Sequence, residues 1–75
     1  MKIKNVVYGQ LVQVKNTNEP TLVLCCSAMQ KKVSKDTVLV ITEDGVDIDG
    51  HVRLCTRDDP DTYYYTTPVN LRKVK

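Results

Sequence analysis

Seventy-five residues with a mass of 8.5 kDa make a single domain (1–75), because so short a chain buries only about 60% of its unfolded surface and has no material for a second core. Length excludes eight-stranded α/β barrels and doubly wound sheets, and an apolar fraction of 41% beside 27% charged residues excludes a disordered chain. The formal net charge of +2 is unevenly spread, with +5 over residues 1–35, −6 over 36–61 and +3 beyond, so a fold that joins the two ends would have a basic side and an acidic one.

Valine, isoleucine, threonine and tyrosine dominate the chain against a single alanine, a composition suited to sheet and poorly suited to helix. In chain order, NVVYGQLVQVKN reads as a first strand region in which Gly9 allows a bend. NTNEP reads as a turn, and TLVLCCSAM as a strand with Leu22, Leu24 and Cys26 on one face. MQKKVSKD lacks an amphipathic period and is expected to form a loop or a single helical turn. TVLVIT has apolar residues on both faces and is expected to lie inside the sheet. EDG and IDG are tight-turn signals. HVRLCTR alternates, with Val52, Leu54 and Thr56 on one side and His51, Arg53, Cys55 and Arg57 on the other. DDPD breaks the pattern, YYYTT resumes it, and VNLRKV closes the chain with a spacing that suits either a short turn and strand or a frayed strand.

Five or so short strands without a covering helix need a closed or nearly closed sheet to hide their apolar face. In GQLVQVKN, TVLVITEDG, HVRLCTR and PVNLRKV the chain resembles the SH3-like small-barrel superfamily in strand spacing. The resemblance implies an all-β, five-stranded SH3-like barrel ending in a 3-10 turn and a last strand, with an OB-like barrel as the alternative. No tryptophan is present for a proline-peptide groove, and no aromatic cage for methylated lysine is evident. In general style the chain also resembles small phage or mobile-element accessory proteins.

Catalytic and metal chemistry find little support. His51 and Cys55 on one strand would stand roughly 13 Å apart, too far for proton transfer. The adjacent pair Cys25 and Cys26 lacks zinc-knuckle spacing, and EDGVDIDG lacks the ligand pattern of a calcium loop. Asp47 and Asp49 sit in turns, where nothing separates the behaviour of the two carboxyls. The expectation is therefore no enzyme, no metal and no cofactor. Three cysteines, an odd number, read as free thiols, and neither a leader nor an apolar span of 18 residues occurs, which suggests a cytoplasmic protein away from membranes.

Binding remains. Tyr63, Tyr64 and Tyr65, with Arg53 and Arg57, have the aromatic and guanidinium composition of a protein interface, and a small regulator or inhibitor occupying a partner's surface is the first expectation. Alternation turns Tyr64 to the opposite face from its two neighbours. The alternative is a nucleic-acid or ribonucleoprotein-binding domain using Lys31, Lys32, Arg72, Lys73 and Lys75. A self-associating structural or virion component is the third reading.

Overall fold

Short runs of β-branched residues, each stopped by a glycine, proline or aspartate, divide this chain into brief strands. The computed structural model describes residues 1–15, 21–24, 30–34 and 36–74, with 21–24 and 30–32 described by their backbone. It contains β1 (Leu11–Val14), β2 (Thr21–Leu24), β3 (Gln30–Lys32), β4 (Leu39–Ile41), β5 (Val52–Thr56), β6 (Tyr63–Thr66) and β7 (Leu71–Lys73). The helical content of the described residues is two 3-10 turns, Ile3–Asn5 and Pro68–Asn70. All neighbouring strands pair antiparallel in one sheet of order β3-β2-β6-β5-β4-β1-β7. The all-β expectation holds.

The barrel does not. The sheet is open, with seven short strands and two edges, β3 and β7, that do not pair with each other, so both the SH3-like and the OB-like closures are corrected. A local cause is visible at the β7 edge. The Met1 ammonium donates to the carbonyls of Pro68 and Leu71 at 3.1 and 3.2 Å, so the N-terminal segment lies where a closing strand would have to pair. At the other edge, Gln30–Lys32 is a strand instead of the expected loop or helical turn. A three-residue edge strand carrying two lysines has too few positions to show a period, and it is a common way to blunt a sheet edge. The first strand also starts later than NVVYGQ suggested, at Leu11, after a 3-10 turn and a loop.

The core lies on one face of the sheet. Alternation places Val12 and Val14 of β1, Leu39 and Ile41 of β4, Val52 and Leu54 of β5 and Leu71 of β7 there, all at 0% exposure. Among the described residues no α-helix lies over them. Val6 and Val33 from the connections complete the cover, with Met1 and Val46 packed against it. Fully burying each Val or Leu is worth about 1.5–3 kcal/mol, which is how so small a domain offsets the entropy of ordering its chain. No helix among the described residues is long and apolar enough to cross a membrane.

Candidate functional site

Because β5 alternates, the residues between its core positions point to the opposite, outer face, and the pairing registers extend that face sideways. Leu11 of β1 stands opposite Val40 of β4, Val40 opposite Cys55 of β5, and Cys55 opposite Tyr63 of β6, giving a transverse apolar row across four strands. The next row sets Arg53 of β5 against Tyr65 of β6. Directly opposed side chains of this kind touch, so each row is a continuous surface.

A cleft of about 420 Å³ opens over the first row. Val40 and Cys55 line it together with Tyr8, Tyr63, Pro60 and Arg57. Tyr8 and Tyr63 are 74% and 49% exposed, so their rings form walls that remain open to solvent. Gly9 places Tyr8 there: its φ of +84° turns the chain, its N–H donates to the Ile41 carbonyl at 2.8 Å, and the Tyr8 N–H donates to Asp44 Oδ1 at 2.6 Å. Arg57 is the one ionisable side chain of the lining other than the tyrosines and Cys55. Burial raises the Cys55 thiol above its ordinary range, with a smaller push from the Asp59 charge, so the sulfur is a protonated, apolar part of the wall and not a thiolate nucleophile.

Beside the cleft, Asp47 organises the connection from β4 to β5. Its Oδ1 accepts the N–H groups of Asp49 and His51, each at 2.9 Å, and its Oδ2 lies 3.6 Å from Arg53 Nη2. The His51 N–H, first among the favourable causes, holds this carboxyl below its usual range. The His51 ring leans on Tyr65, with centroids 4.8 Å apart and planes tilted by 43°. Carboxylate and imidazole atoms of Asp47, Asp49 and His51 lie within 4.8 Å of one another, a ligand set the sequence did not single out. Both Asp47 oxygens already serve the turn and Arg53, which accounts for the cluster without an ion.

The candidate residues thus fall into separate places. Tyr63 and Arg57 line the cleft, Arg53 and Tyr65 form the adjoining row, and Tyr64, 8% exposed, belongs to the core. Arg72 and Lys73 lie away from both rows, on the edge strand β7. The side chains of Lys31 and Lys32, and all of Lys75, Cys25 and Cys26, lie outside the described residues. Sequence reasoning missed Tyr8, Val40 and Pro60. The signal for Tyr8 was its place before a glycine, but what brings it to the cleft is a contact with a residue 36 positions away. No protein-family model, curated protein or solved structure matches this chain.

Proposed function

We propose that this chain is a non-catalytic protein-interaction module whose outer cleft receives an apolar side chain of a partner polypeptide, with a neighbouring carboxylate of that partner meeting Arg57. The observation that carries the reading is the cleft itself: an exposed Tyr8 and a half-exposed Tyr63 over an apolar floor of Val40 and Cys55, with a single cation at the rim. Aromatic anchors beside an arginine are the groups in which interface energy concentrates. The lone guanidinium selects the charge of the occupant, since Arg57 forms no ion pair among the described residues and a planar fork pairs readily with a carboxylate. The protonated Cys55 thiol supports binding over nucleophilic chemistry, and its free state suits a reducing, cytoplasmic setting.

The test is selection from a random-peptide display library against the folded protein. Peptides with a large apolar residue beside Asp or Glu should be enriched. Their affinity should fall by about 2 kcal/mol, near thirtyfold, in Tyr63→Ala and by a smaller factor in Arg57→Gln. Peptides that bind Tyr63→Ala as tightly as wild type would reject the reading.

A further inference from the structure

The uneven charge of the sequence acquires a geometry once the ends of the chain are joined. Contacts of Met1 with Pro68 and Leu71, and a hydrogen bond of 2.8 Å from the Lys15 N–H to the Asn70 carbonyl, bring the first residues, the end of β1 and the last strand to one place. Between them is a concavity of about 730 Å³ whose lining includes Lys2, Lys4, Lys15, Arg72 and Lys73 and no acidic residue. A chain of net charge +2 therefore gathers five cations around one hollow. All five are exposed, and among the described residues none forms an ion pair. The crowding is felt locally: the Met1 ammonium is pushed below its ordinary range, first by desolvation and then by the charge of Lys15. The acidic residues 43–61 occupy other loops, and this hollow shares no lining residue with the tyrosine cleft.

We propose that this concavity binds the phosphate backbone of a nucleic acid without reading its bases. Gathering like charges costs stability unless a counter-charge occupies the site, so the hollow is matched to a polyanion. Its composition selects among polyanions. The lining holds no aromatic ring to anchor a peptide or stack on a base, whereas lysine serves as a flexible point charge for phosphate. Binding is therefore electrostatic and indifferent to sequence.

The experiment is fluorescence anisotropy with short labelled single-stranded and duplex oligonucleotides, titrated between about 50 and 200 mM salt. If most of the five cations meet phosphates, log affinity should fall with log salt at a slope of roughly −4 on duplex and about −3 on single strands. Different base sequences should bind alike. The variant Lys4→Gln/Arg72→Gln removes two exposed cations and should keep the wild-type circular dichroism. It should lose tenfold or more in affinity at the low-salt end and about two units of slope. Ile48→Ala, an uncharged change at an exposed position outside both linings, should bind as wild type. Absence of oligonucleotide binding at low salt would overturn the proposal, as would unchanged binding by the double variant. Tighter binding of polyglutamate, or of phosphatidylserine vesicles, than of the oligonucleotides would overturn it too. None of these outcomes depends on the tyrosine cleft, so the two proposals stand or fall apart.

Discussion

The Asp47 carboxylate accepts two backbone N–H groups with one oxygen and faces Arg53 with the other, so a single side chain ties the turn at residues 47–51 to the outer face of β5. Its charged form is what the fold stabilises, because the His51 and Asp49 amides point at the carboxylate and the folded-state value lies below the ordinary 3.8. The sign follows directly. The unfolded chain takes up this proton at higher pH than the folded chain, so the contribution is fully present above the unfolded value and is lost as pH falls through the lower folded value. Urea midpoints should therefore drop on acidification below about pH 4 more steeply in wild type than in Asp47→Asn. The asparagine carbonyl can still accept the two amides and has no charge to lose. Parallel acid sensitivity in the two proteins would show that Asp47 is not a source of the effect.

At the scale of elements, the cleft depends on how the chain enters β1. Gly9 holds a φ of +84°, and a Cβ placed on it would meet nothing within 4 Å, so substitution there tests backbone conformation alone. Gly9→Ala should cost about 1–2 kcal/mol, the penalty of the left-handed region for an ordinary residue, and Gly9→Asn should cost less. Denaturant melts followed by circular dichroism measure both, and an alanine variant as stable as wild type would refute the assignment. Much of this level was legible beforehand. The alternation of HVRLCTR placed Val52 and Leu54 inward and Arg53 outward, and the tyrosine triplet could only divide between faces, with Tyr64 now inside. The strand at Gln30–Lys32 was not legible, because three polar residues carry no period and their strand state comes from pairing with β2. Tyr8 escaped for a related reason. An exposed tyrosine next to a glycine looks the same in any loop, and the long-range hydrogen bonds of Gly9 to Ile41 and of Tyr8 to Asp44 fix it at the cleft.

At the scale of the whole molecule, the order of strands sets the shape, and that order is written in long-range partners. β1 pairs with β4 and β7, and β2 pairs with β6, so three of the six pairings join strands distant in sequence. Alternation says where strands are and which way they face. It does not say whether the last strand returns to the first edge, and this is why a barrel could be expected from strand spacing while the sheet remains open. In this arrangement β7 is more than a tail. It satisfies the second edge of β1 in the register Val12 to Lys73 and Val14 to Leu71, and Leu71 has no exposed surface. Its Leu71 carbonyl also holds the first residue of the chain. Removing residues 68–75 should therefore abolish cooperative unfolding of the entire domain, not fray one edge, since a 75-residue fold has no second core to fall back on. The milder Leu71→Ala should leave the sheet recognisable by circular dichroism while costing about 2–5 kcal/mol, which consumes much of the stability such a domain commands. Thermal melts followed in the far ultraviolet, the natural probe for a chain without tryptophan, distinguish the cases. A truncated chain that melts as sharply and as late as wild type would mean that β1 through β6 form the folding unit without β7.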